Sequence, residues 1–165
     1  MFLCINVYSF GQNNITECVT QKALSFEGIK ETLGYNDSPE IRIFIDALDK
    51  PVPYGSSWCA AFVSYCLRSC GVDKPNSAWS PSLFVGKNVY GYEYIQSNKL
   101  KKGDIFGLYY TRLGRIAHVG IVLEDRGFSV LTIEGNTGGS GERDGDGVYK
   151  KVRLRKQLSK IKRYE

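Results

Sequence analysis

A chain of 165 residues with 42% apolar residues is long enough for one domain with a proper core, and eleven tyrosines and eight phenylalanines argue against a disordered segment. No apolar run reaches the length of a membrane-spanning helix. The net charge of +5 gathers towards the C-terminus, where Lys150 to Arg163 hold eight basic residues and no acidic one. Such a stretch fits either a polyanionic neighbour or a solvated tail. No zinc-finger, RRM or helix-turn-helix signature accompanies it, so nucleic acid is not expected as a partner.

Residues 1–11, MFLCINVYSFG, are apolar with small residues at Ser9 and Gly11. They read as the end of a short or truncated secretory signal, cleaved after Gly11, although a positive n-region is missing. An N-terminal strand is the other reading. Residues 12–165 then form a single domain, with no internal repeat. Thr16 to Leu33 has helical spacing, with Gly34 as a stop and Gly28 as a weak point inside it. Ser38 is placed to cap a second helix that starts at Pro39 and buries Ile41, Phe44, Ile45 and Leu48, before Pro51 and Pro53 end it.

The third helix is expected from Ser57 to Cys70, a run without Gly or Pro. Ser56 or Ser57 would be its cap and Gly71 its stop. Cys59 falls in its first turn, at the positive end of the helix dipole and beside unpaired backbone N–H groups. Both favour thiolate over thiol, and the same N–H groups can receive an oxyanion. Cys59 is therefore a candidate nucleophile, the alternative being a small buried apolar residue. There are five cysteines. Cys66 and Cys70 are expected to pack in the core. A bridge from Cys18 to one of them stays open.

Residues 72–98 read as a loop rich in aromatics, which would line a groove or plug the core. Strands follow at Ile105 to Tyr110, Ile116 to Glu124, Phe128 to Glu134 and Val148 to Leu154, separated by Gly- and Asp-rich turns. Helices followed by an antiparallel meander predict an α+β fold with the helices on one face of the sheet.

The chain has one histidine, His118, so any Cys–His chemistry must use it and any site needing two histidines is excluded. Alternation places His118 on one face with Ile116 and Gly120. A base histidine needs an acceptor on its second nitrogen. Glu134 and Asn136 end the next strand on a common face. A symmetric hairpin centred on Arg126 would set Glu134 directly opposite His118, each eight residues from the centre.

Taken together, Trp58-Cys59-Ala60-Ala61-Phe62-Val63, the Lys102-Gly103-Asp104 turn, Gly114-Arg115-Ile116-Ala117-His118-Val119-Gly120 and Glu134-Gly135-Asn136-Thr137 resemble the CHAP family, the cysteine, histidine-dependent amidohydrolases/peptidases. Gly141-Glu142-Arg143 and Gly147 to Arg153 resemble the closing hairpin of many phage-type members, and the resemblance covers residues 35–155. It implies a papain-like fold and hydrolysis of an amide or peptide bond in the peptide part of bacterial peptidoglycan. By the same resemblance Cys59 is the nucleophile, His118 the base, Glu134 the acid that orients it and Asn136 the asparagine near the site. Trp58, Tyr54 and Trp79 are the candidate substrate contacts. Some members bind calcium through an acidic loop before the cysteine. Asn36-Asp37 does not fit that pattern, and Asp144-Gly145-Asp146-Gly147 reads as a tight turn, so no metal and no cofactor is expected. The expected partners are peptidoglycan and, through the basic C-terminus, anionic wall polymers. The protein is expected to act as a monomer and to be secreted, periplasmic or phage-delivered. A papain-like acyltransferase or transglutaminase would use the same three groups, and a non-catalytic wall-binding module would keep the fold without using them.

Overall fold

The structure is a computed structural model, and it describes residues 15–50, 52–138 and 145–164. The proposed signal and its cleavage point lie outside them. Three helices, α1 (Ile15–Leu24), α2 (Pro39–Asp46) and α3 (Cys59–Ser69), precede a short strand β1 (Val89–Tyr90) and a helix α4 (Tyr92–Ser97). Strands β2 (Ile105–Tyr110), β3 (Arg115–Asp125), β4 (Ser129–Thr137), β5 (Gly147–Leu154) and β6 (Leu158–Lys162) complete one antiparallel sheet in the order β1-β6-β2-β3-β4-β5. The α+β class is as expected.

Period-two alternation gives this sheet two buried faces. Ile105, Val119, Ile121 and Ile133 join the core built on α1, α2 and α3, around Phe44, Trp58 and Phe62. Phe106, Leu108, Val122 and Val130 point the other way, into a second cluster with Ile95 of α4. Helices therefore cover both faces, not one. The difference arises in residues 72–98, where β1, α4 and a 3-10 turn at Ser80–Phe84 replace the expected loop. Elements this short show no readable period.

α1 stops nine residues earlier than its spacing suggested, because the chain turns through Gly28 at φ 84°. α2 starts as predicted on Ser38 and Pro39. Ser38 Oγ accepts the Leu33 N–H at 2.9 Å instead of capping its own helix. Gly71 ends α3 at φ 83°, as its position required. Cys18 and Cys70 form a disulfide between α1 and the end of α3, so Cys70 is not a free core residue. Cys66 is the core thiol, and burial pushes its pKa up.

The basic C-terminal stretch is not a tail. It forms β5 and β6, and β6 lies inside the sheet between β1 and β2. Most of its charges are engaged: Lys150 with Glu27, Arg153 with Glu134, Arg155 with Asp125, and Arg163 with Asp104. Lys151 and Lys162 donate to backbone carbonyls. Of its eight basic residues, only Lys156 and Lys160 have no side-chain partner among the described residues. Asp104, wholly buried at the start of β2, takes both N–H groups of the Arg163 fork at 2.7 and 2.8 Å. That pair ties the first long strand to the last.

Candidate active site

Cys59 opens α3 at the floor of a cleft of about 690 Å³. The helix is capped neither by Ser56 nor by Ser57; the cap position is Trp58. Its backbone N–H is held by Asn136 Oδ1 at 3.2 Å, from a strand 78 residues away. Asn136 sits at φ 54°, and its Nδ2 donates to Asn36 Oδ1 at 2.6 Å and to Gly145 O at 3.0 Å. Asn136 thus fixes the segment that presents Cys59, and the role of orienting His118 falls to Glu134.

His118 lies on β3, opposite Leu108 of β2. One residue earlier Ala117 is inserted, since Tyr109 pairs with Ile116 and Leu108 with His118. That bulge overturns the simple alternation: Ile116 packs with Val119 and Ile121 and not beside His118. A second bulge at Leu123 and the wider turn closed by Arg126 N–H to Ser129 O shift the β3–β4 pairing. Ile121 pairs with Ile133, and continuing that register sets Glu134 against Gly120, not against His118. The contact survives because Gly120 has no side chain. A Cβ there would stand 2.7 Å from Glu134 Cγ, so the carboxylate lies across the glycine and reaches His118 Nε2 at 2.8 Å.

Glu134 is completely buried and both its oxygens are doubly engaged. Oε1 accepts from Thr132 Oγ1 at 2.6 Å and from Arg153 Nε at 2.8 Å. Oε2 faces His118 Nε2 and accepts from the second arm of Arg153 at 2.5 Å. Burial alone would push this carboxyl up, but the Arg153 fork and His118 overcome it and bring the pKa down to about 2. Burial would likewise favour neutral His118; its hydrogen bonds to Cys59 and Glu134 and the charges of both outweigh that and raise it to about 9. Since Nε2 faces Glu134, Nδ1 is the nitrogen left for the thiol. Burial pushes the Cys59 thiol up as well. His118, the Ser80 hydroxyl at 3.7 Å and a hydrogen bond from the Val119 backbone bring it below its ordinary value. The arrangement favours a thiolate–imidazolium pair with a fixed carboxylate behind it.

Of the expected substrate contacts, Trp79 lines the cleft and is half exposed. Tyr54 is exposed but does not line the cleft; its hydroxyl donates to Asp46 and the Arg42 guanidinium lies over its ring. Trp58 has no surface to offer a ligand. It is wholly buried, stacked on Phe44, with Nε1 donating to Glu31 at 2.8 Å. Sequence reasoning missed Arg153, Thr132, Ser80 and Asn36. No motif marks them, and the signal for Arg153 would have been the β4–β5 register, which the turn residues between the strands do not specify.

The chain matches the CHAP domain over residues 51–136. It belongs to the CHAP family. That span starts before Cys59 and ends on Asn136, so it contains Cys59, Ser80, His118, Thr132, Glu134 and Asn136 but not Asn36 or Arg153. Among solved structures, the chain is similar to "The crystal structure of Ly7917 with the hydrolyzing product of MDP", at 18% identity and a TM-score of 0.41, covering 62% of this chain and 52% of that one. It is also similar to "The crystal structure of Ly7917", at 19% identity and a TM-score of 0.38, covering 62% and 51%. The alignments thus span about half the length of those chains. No curated protein matches significantly. The papain-like CHAP fold accounts for the order seen here: a cysteine at a helix start, then a histidine and a carboxylate on neighbouring antiparallel strands.

Proposed function

We propose that this chain is a cysteine hydrolase that cleaves an amide or peptide bond in the peptide part of bacterial peptidoglycan. The observation that carries the reading is the buried row Cys59–His118–Glu134 opening on one cleft. His118 takes the Cys59 proton, and the thiolate adds to the scissile carbonyl carbon. Backbone N–H groups at the start of α3 receive the oxyanion, since the first turn of a helix leaves them without intrahelical partners. Collapse breaks the C–N bond, with the His118 proton going to the leaving amine and a thioester left on Cys59. Water, deprotonated by His118, then releases the acid and restores the thiol. Glu134 holds the ring and its charge throughout. CHAP membership supports the substrate class. The Cys18–Cys70 disulfide supports an oxidising compartment, as in a secreted or periplasmic protein.

The test is digestion of purified sacculi and defined muropeptides, with the products weighed by mass spectrometry. A new free amine and a mass gain of one water identify hydrolysis, and the fragment masses distinguish muramoyl-alanine amidase from endopeptidase. An added amine appearing in the product would instead mark an acyltransferase. Full activity of Cys59→Ala would sink the proposal.

A further inference from the structure

The arginines of this chain divide sharply. Of the eight described, six are in ion pairs with carboxylates: Arg42, Arg68, Arg126, Arg153, Arg155 and Arg163. The other two, Arg112 and Arg115, have no carboxylate partner, and both line the cleft that holds Cys59 and His118. No aspartate or glutamate lines that cleft among the described residues. The two flank the β2–β3 turn, with Gly114 at φ 64° between them. Arg115 is held in place: its guanidinium lies over the Trp79 ring, 4.2 Å from the centroid, and one of its nitrogens donates to Ile116 O at 3.0 Å. A guanidinium has five N–H donors, so most of its donors stay uncommitted while its plane is fixed by the indole. A planar, pre-oriented, unneutralised fork is the geometry that receives a carboxylate through two parallel hydrogen bonds.

We propose that Arg112 and Arg115, backed by Trp79, form a carboxylate-binding subsite beside the nucleophile, so that the cleft selects acidic peptides over their amidated forms. This rests on the peptide-hydrolase reading for the choice of ligand class, not for the geometry. A cleft with two uncommitted arginines and no acid among its described lining residues repels cationic peptides and draws anionic ones. Arg115 sets the orientation, and Arg112, more exposed on the turn, adds charge that salt will screen.

The test uses two synthetic stem peptides of one sequence, one with free carboxylates and the other with those groups converted to carboxamides. Affinity for each is measured by calorimetry on Cys59→Ala, which binds without turnover in the proposed mechanism. The acid form should bind roughly tenfold tighter, as expected for a charge-assisted bidentate contact at a partly exposed site. Adding Arg115→Gln should bring the acid-to-carboxamide ratio close to one. Arg112→Gln should lower it less, and its effect should vanish at high salt. Equal affinity for the two peptides, no binding of either, or a ratio unmoved by Arg115→Gln overturns the subsite. Turnover is read separately on the wild type. If neither peptide nor sacculi are cleaved while the affinity ratio behaves as stated, the hydrolase reading fails and the subsite stands. Cys59-dependent cleavage with an unmoved ratio does the reverse: the hydrolase reading stands and the subsite fails.

Discussion

Replacing Arg153 with Met tests the site where structure and chemistry meet. Glu134 is wholly buried, and Arg153 supplies two of its four hydrogen bonds, at 2.8 and 2.5 Å. Removing one partner of a buried pair leaves an uncompensated charge, at a cost of about 3–5 kcal/mol. The Arg153 side chain is itself 22% exposed, so water reaches the vacated space and the lower end, about 3 kcal/mol, is the figure to expect. In a domain of this size that is a fall in Tm of roughly 6–12 °C. The double variant Arg153→Met/Glu134→Gln removes the orphaned charge and should recover much of the loss in urea unfolding at pH 7, while activity stays low. The effect also has a pH signature. Glu134 falls from an ordinary 4.5 to about 2 in the folded protein. Its contribution is therefore present above pH 4.5 and disappears as pH drops towards 2. The stability gap between wild type and Arg153→Met should be full at pH 7 and narrow below pH 4.5. A cost under about 1 kcal/mol, or a double variant no more stable than the single one, would refute the reasoning, since breaking a buried ion pair should cost several times that.

Further outcomes follow from the same geometry. Gly120→Ala puts a Cβ 2.7 Å from Glu134 Cγ and from Phe106 Cε1, so the carboxylate must move off His118. Activity on muropeptides should fall about 100-fold, as for lost general acid–base catalysis, with overpacking costing about 1–3 kcal/mol; wild-type kcat/KM in this variant would contradict the path drawn for Glu134. The pH profile of kcat/KM should rise through a Cys59 ionisation below the ordinary thiol value and fall as His118 loses its proton near about 9. Iodoacetamide at neutral pH should label Cys59 and spare Cys66, whose buried thiol is held protonated; equal labelling in the folded protein argues against the ion pair. Cys18→Ala/Cys70→Ala, which opens a bridge across 52 positions, should cost about 2–4 kcal/mol in chemical denaturation, and an unchanged midpoint would show that α1 stays docked without it.

What could be read from the chain was whatever local chemistry determines. Ile105–Tyr110 was legible as a strand from its apolar run after a Gly turn, and α2 from Ser38-Pro39. The closeness of Cys59, His118 and Glu134 was legible in part because the chain has a single histidine. Beyond the early end of α1 and the short elements in residues 72–98, the errors concern pairing at a distance. A hairpin centred on Arg126 ignores the bulge at Leu123 and the wider turn to Ser129, which no residue in β3 announces. The N-cap position of α3 is Trp58, its N–H held by Asn136, and not one of the adjacent serines, because a buried helix start takes the partner that packing brings. Trp58 looked like a substrate platform for want of any sign that Phe44 and Glu31 enclose it. The basic stretch looked like a solvated tail because composition counts charges without showing that Asp104, Asp125 and Glu134 already hold three of them.

The placement of Arg153 also completes the charge balance around the buried thiol. Burial opposes every charge in this site, and it is the largest single influence on Cys59, His118 and Glu134 alike. A thiolate–imidazolium pair is neutral overall, so burying it costs less than burying either ion. Adding Glu134 alone would leave a net negative row and would penalise the thiolate at its far end. Arg153 closes the row as thiolate, imidazolium, carboxylate and guanidinium, with alternating signs and no net charge. Low local polarity then strengthens each neighbouring attraction without leaving one ion unmatched. The consequence is measurable at the opposite end from the substitution: Arg153→Met should slow alkylation of Cys59 at neutral pH, although Arg153 contacts neither the thiol nor the imidazole. Glu134→Gln combined with Arg153→Met, which restores neutrality but removes the support for imidazolium, should slow it too. Arg153→Lys, which keeps the charge and loses the fork, should lie between wild type and Arg153→Met. If Arg153→Met alkylates as fast as wild type, the charge at that end does not reach the nucleophile.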